Sequence, residues 1–131
     1  MMLRTLHLVA PLLPLVVLGC GKGGIERHDL HGAVTYRGEP IPAGVISFRP
    51  DRSRGGTGPS GFGTILDGEY STGVSGRGAV AGPVEVMIEG ATSKKPMSPA
   101  LFPIYKTTID VDGDTLEFDF EVPEQTMKRK R

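Results

Sequence analysis

The segment Leu116–Val122 reads Leu-Glu-Phe-Asp-Phe-Glu-Val, so Leu116, Phe118, Phe120 and Val122 alternate with Glu117, Asp119 and Glu121. A period of two gathers the apolar side chains on one face and the acids on the other only in extended backbone, which predicts a half-buried strand. Pro83–Glu89 repeats the pattern, with Val84, Val86 and Ile88 expected inward and Glu85, Met87 and Glu89 outward. After residue 20 no window of eleven or more residues carries an apolar repeat at helical spacing, and 19 Gly and 11 Pro interrupt the chain. Gly tolerates positive φ and Pro pre-sets its own, so this composition belongs to a turn-rich all-β protein.

Other strands follow from the same signals. Gly32–Tyr36 is a first strand with Val34 and Tyr36 on one face, ending at the turn Arg37-Gly38-Glu39-Pro40. Ala43–Phe48 is a second, with Ile46 and Phe48 inward. Gly61–Leu66 and Glu69–Thr72 flank Asp67-Gly68, a hairpin signal because a type I′ turn needs positive φ at both central residues. Thr107–Val111 and Leu116–Val122 form an expected last pair across Asp112-Gly113-Asp114. Pro50–Ser60 has no apolar residue to bury and reads as a mobile loop, Gly73–Gly82 is a second loop, and Pro96, Pro99 and Pro103 keep Ala91–Tyr105 irregular. The expectation is an all-β fold, a seven-stranded antiparallel β-sandwich over residues 30–123, with a flexible tether at 20–29 and a basic tail at 124–131.

The first twenty residues are of another kind. Arg4 is the only charged side chain before Cys20 apart from His7, and an apolar run extends from Leu8 to Leu18. Spanning a bilayer takes about 20 apolar residues, and Pro11 and Pro14 each remove a helix N–H, so the run reads as a secretory signal over residues 1–19. Val17-Leu18-Gly19-Cys20 resembles the bacterial lipobox. That resemblance implies cleavage before Cys20, a diacylglyceryl group on its thiol and acylation of the new amine. One acyl chain anchors only marginally, whereas several hold a protein firmly at a bilayer. Cys20 is also the sole cysteine, which excludes an intramolecular disulfide and a Cys-based zinc site. The expected location is the cell envelope, at the outer membrane or the periplasmic face of the inner membrane, with the bilayer as first partner.

The strand motifs carry a second resemblance. Gly32-Ala33-Val34-Thr35-Tyr36-Arg37-Gly38-Glu39-Pro40-Ile41-Pro42, followed by Gly44-Val45-Ile46-Ser47-Phe48, is similar to the opening of the transthyretin-like, or carboxypeptidase-regulatory-like, domains of small bacterial lipoproteins. Asp67-Gly68-Glu69-Tyr70-Ser71 resembles their D-G-x-Y-x turn, and Ala81-Gly82-Pro83-Val84-Glu85-Val86 their P-G-x-Y-x-V strand. Leu101–Tyr105 is similar to their late P-x-K-Y segment, with Ile104 where the family has Lys. The resemblance implies a prealbumin-like sandwich, no enzymatic activity, no cofactor and no defined ligand.

Few constellations point to chemistry. Asp110, Asp112 and Asp114 have the spacing of three calcium-loop acids and Glu121 falls at the twelfth position, but Thr115 stands at the sixth, where the loop needs Gly for its sharp turn, and Gly113 sits at the fourth instead. A solubilising turn explains them better. His28, His31 and Asp29 lack the further ligands that a zinc site needs. No Ser has a base and an orienting acid in a recognisable motif. Net charge is zero, which excludes the basic excess of a nucleic-acid binder. Lys128, Arg129, Lys130 and Arg131 form a terminal cluster that is either a solvated end or a contact for anionic lipid or an envelope polymer. The expected function is that of a membrane-anchored envelope lipoprotein carrying a non-catalytic binding or structural module, with an envelope polymer or protein as a further partner. Two alternatives stay open. A secreted carbohydrate-binding module would show exposed aromatics on one strand face. A hydrolase of the prealbumin fold would gather His, Arg and a hydroxyl in one cleft.

Overall fold

A computed structural model describes residues 24–125. Its strands are β1 (His31–Tyr36), β2 (Glu39–Pro40), β3 (Ala43–Pro50), β4 (Gly61–Leu66), β5 (Glu69–Ser71), β6 (Gly76–Arg77), β7 (Gly82–Ala91), β8 (Tyr105–Val111) and β9 (Phe120–Val122). The sole helical element among the described residues is one 3₁₀ turn, Arg52–Arg54. The fold is all-β.

Local chemistry accounts for the hairpins. Arg37 and Gly38 both have positive φ (54° and 76°), as do Asp67 and Gly68 (50° and 77°), so β1–β2 and β4–β5 close through the primed turns whose twist suits a hairpin. In the second, Ile65 faces Tyr70 and Leu66 faces Glu69. The hydrogen-bonded order is β2-β1-β5-β4-β3-β7-β8, and β6 continues the line of β5 along β4. The pairings β3–β7 (Ala43↔Ala91 to Pro50↔Val84) and β7–β8 (Gly82↔Val111 to Ile88↔Tyr105) run without a slip.

One face of this sheet forms the core. Val34, Ile46, Phe48, Ile65, Tyr70, Val84, Val86, Ile88, Val111, Phe120 and Val122 are all buried. The inward sets expected for β3 and β7 are the observed ones. The sheet curls strongly about this face. β1 and β7 are four spacings apart in the order, roughly 19 Å if the sheet were flat. Yet the ring of Phe102 lies 4.9 Å from that of Tyr36 on β1 and fills the space above Gly90 on β7, where a Cβ would stand 2.8 Å from Phe102 Cε1. The result is a half-barrel with the Ala91–Tyr105 segment plugging one end.

Two sequence expectations need correction. Thr107–Val111 and Leu116–Val122 do not pair with each other. β8 pairs with β7, whereas the closing segment runs parallel to β1, with Val34 opposite Phe120 and Tyr36 opposite Val122. Between them Asp112 shapes a cap rather than a hairpin turn, its carboxylate accepting the N–H groups of Asp114 and Thr115 at 2.9 Å each. Four residues, 112–115, then carry the chain from one edge of the curled sheet to the other. The sheet is therefore mixed, not purely antiparallel. The second correction concerns the apolar face of that segment, which is buried only at its end. Phe120 and Val122 are in the core, whereas Leu116 is 37% exposed.

The loops are more fastened than their composition implies. Asp51 caps the 3₁₀ turn through Ser53 N and binds Arg54 Nε at 2.8 Å, and the Asp51 N–H donates to the Pro83 carbonyl at 2.9 Å. The residues before β1 are bonded too. His28 exchanges backbone hydrogen bonds with Ala79, and Arg27 Nη1 donates to the carbonyls of Gly78 and Ser60.

Candidate functional site

Cys20, the expected lipid attachment point, and the cluster Lys128, Arg129, Lys130 and Arg131 lie outside the described residues. The remaining sequence candidates are dispersed. Asp112 is occupied by its two N–H donors, which hold its carboxyl below the usual range. Asp110 turns to Arg54 Nη1 at 3.3 Å. His28 packs beside Gly113, while His31 Nε2 stands 3.9 Å from Glu117. Among the described residues no three His, Cys, Asp or Glu side chains come together as a metal would require.

Two of the concave surfaces gather residues of interest. The first, about 390 Å³, lies where the closing segment meets β1 and β5 and is lined by His31, Gly32, Ala33, Glu69, Tyr70, Ser71, Glu117 and Asp119. Its polar groups are partly engaged in holding the strands. Asp119 Oδ1 accepts the Ala33 N–H at 2.8 Å, and the Tyr70 hydroxyl donates to the Phe118 carbonyl at 2.8 Å. Burial pushes the Tyr70 hydroxyl far above its ordinary pKa, with the charges of Asp119 and Glu117 adding to the effect. The cleft holds His31 and the Ser71 hydroxyl, but no Arg lines it, so the set that hydrolysis would need is incomplete. Glu69, Glu117 and Asp119 give the cleft an acidic rim.

The second surface is apolar and lies on the convex face. Val45, Ser47, Arg49, Ser60, Gly61, Phe62 and Met87 enclose about 390 Å³. Register explains the grouping, since Ser47 pairs with both Phe62 and Met87 and Val45 pairs with Thr64. Arg49 borders it, with Nη2 2.6 Å from Glu85 and 3.5 Å from Met87 Sδ. Phe62 is 46% and Leu66 54% exposed. Both project outward because the inward positions of β4 are Gly61, Gly63 and Ile65, and side chains alternate along a strand. The sequence reading left the faces of β4 open. The signal was present, since a two-residue turn at Asp67-Gly68 puts Leu66 on the face of charged Glu69. Phe62 is the one aromatic lining this surface, short of the row of rings that carbohydrate stacking would favour.

Compared with the models of known protein families, with curated proteins and with solved structures, the chain matches none.

Proposed function

We propose that this chain is an exported lipoprotein, acylated at Cys20, whose all-β module is a prealbumin-like, non-catalytic binding or structural domain at the cell envelope. The single observation that carries the reading is the placement of the only cysteine directly after the apolar run Leu8–Leu18 and Gly19. The start of the bonded fold adds to it. Arg27 is already fastened to Ser60 and Gly78, so only six residues separate it from Cys20, and the seven steps between them reach at most about 25 Å. An anchored module would thus sit close to the bilayer surface. The curl that brings β1 and β7 to opposite sides of Phe102 supports a two-layered, sandwich-like description, with the strands at the two ends of the order as facing layers. The convex patch around Phe62, Val45 and Leu66 is the surface offered to an envelope polymer or protein, because an exposed apolar cluster bordered by polar groups marks contact surfaces. The basic tail at 128–131 would add a salt-sensitive contact with anionic lipid.

Mass spectrometry of the protein made in a bacterial host with a lipoprotein pathway tests this. The expected N-terminus is Cys20 carrying acyl mass, and globomycin should cause a diacylglyceryl-modified precursor that retains residues 1–19 to accumulate. Cys20→Ala should move the protein from the membrane to the soluble fraction. A wild-type chain with its first nineteen residues attached and its sulfur unmodified defeats the reading, as does one cleaved, unmodified and free in the periplasm.

A further inference from the structure

The strand β8, Tyr-Lys-Thr-Thr-Ile-Asp-Val, ends the hydrogen-bonded order and pairs only with β7 among the described strands. It spans seven residues without a slip or a proline. Which of its main-chain groups are free follows from one contact. The Pro83 carbonyl accepts from Asp51, on the β3 side of β7, so Pro83 turns its main-chain polar groups away from β8. Asp110, opposite Pro83, then occupies a non-hydrogen-bonded site, and its own N–H and carbonyl point outward. By alternation, so do those of Lys106 and Thr108. Their three side chains lie together on the exposed convex side, whereas Tyr105, Thr107 and Ile109 lie half-buried on the other.

A regular, unpaired edge invites another strand, and the side chains select which one. Two copies of β8 laid antiparallel about a twofold at Thr108 bring Lys106 of each opposite Asp110 of the other. Thr107 meets Ile109, and Tyr105 meets Val111. The outward main-chain groups at 106, 108 and 110 then pair with their counterparts in hydrogen-bonded sites. Moving the twofold to 106 or to 110 sets Lys against Lys or Asp against Asp, so charge selects the register. The opposite edge fails the same test. A twofold at Asp119 would face Glu117 with Glu121 and Asp119 with itself, six carboxylates in three repelling pairs. Among the described residues Lys106 has no acid within ion-pair distance, whereas Asp110 already holds Arg54 at 3.3 Å and has a second oxygen to offer.

We propose that β8 is a self-recognition edge, through which two copies of this chain join their sheets antiparallel about Thr108 with two reciprocal Lys106–Asp110 pairs. Such an isologous contact closes on itself and uses up the exposed edge instead of propagating. The proposal is independent of the anchoring of Cys20.

Sedimentation of the full chain carrying Cys20→Ser, so that neither acyl groups nor a disulfide adds mass, tests it. The expected result is a reversible monomer–dimer equilibrium. Lys106→Asp and Asp110→Lys should each raise the dimer dissociation constant about tenfold or more, since each turns two attractive cross-strand pairs repulsive. The double variant K106D/D110K should return it to near the wild-type value. Thr108→Pro removes an outward N–H that the monomer does not use and should give a monomer with an unchanged circular dichroism spectrum. The charge variants keep the test decisive if that proline disturbs folding. A wild-type chain still monomeric at about 1 mM, beyond the range of even weak specific contacts, overturns the proposal. So does a double variant that dimerises no better than the single ones.

Discussion

The Thr72 hydroxyl accepts the Leu30 N–H at 2.9 Å, and the Thr72 N–H donates to the Leu30 carbonyl at 2.9 Å. Both residues are fully buried, so this pair satisfies main-chain groups that water cannot reach. Thr72→Val keeps the shape and removes the acceptor, leaving the Leu30 N–H unpaired. The expected loss is about 1–3 kcal/mol in denaturant unfolding. Tyr70 illustrates a different residue-scale effect. Its hydroxyl is buried, bonded to Phe118 and held neutral well above the ordinary range, chiefly by desolvation. A pKa raised by folding contributes stability that is present below the unfolded value, about 10, and lost as pH rises through the folded one. Alkaline titration should therefore destabilise the wild type above about pH 10. Tyr70→Phe should flatten that alkaline slope while costing about 0.5–1.5 kcal/mol at neutral pH for the lost bond. An equally steep alkaline loss in the variant would count against the assignment.

At the scale of elements, the closing segment is the informative one. Its alternation is uniform along Leu116–Val122, but its burial is graded: Leu116 is exposed, Phe118 is half-buried against the core, and Phe120 and Val122 are buried where β9 lies against β1 and Tyr70. Phe120→Ala should cost about 3–5 kcal/mol and Leu116→Ala less than about 1 kcal/mol, although the two positions share a face. Equal losses in urea titrations would restore the evenly buried strand that alternation alone suggests. The β4–β5 hairpin is the contrary case. There the Asp67-Gly68 turn and the side-chain pattern agree, and both appear in the register Ile65↔Tyr70 and Leu66↔Glu69.

For the molecule as a whole, one close approach spans the curl. Phe102 bridges Tyr36 and Gly90, and a Cβ at position 90 would stand 2.8–2.9 Å from two atoms of its ring and 3.2 Å from Ile41 Cγ2. Gly90→Ala therefore overpacks the contact that holds β1 and β7 toward each other. We expect a loss of about 1–3 kcal/mol by calorimetry, with near-ultraviolet dichroism altered where Tyr36 and Phe102 meet. Unchanged stability would mean that the ring moves aside freely and that the curl is held elsewhere.

What could be read from residues alone was local. Strand content, the turn at Arg37-Gly38, the type I′ turn at Asp67-Gly68 and the inward sets of β3 and β7 depend on φ preferences and a two-residue period, which neighbours along the chain express directly. The candidate site was less legible. The expected anchor Cys20 and the basic tail were visible as patterns, whereas the apolar convex patch shows only through the register, in which the Asp67-Gly68 turn sets Leu66, and with it Phe62, on the face of Glu69. The partner of Leu116–Val122 was also hidden. Asp112-Gly113-Asp114 has the composition of a hairpin turn, and no local preference tells a strand which distant edge will take it. That choice was made by curvature, which brings the edge of β1 within four residues' reach of the end of β8 and rewards burial of Phe120 and Val122 there.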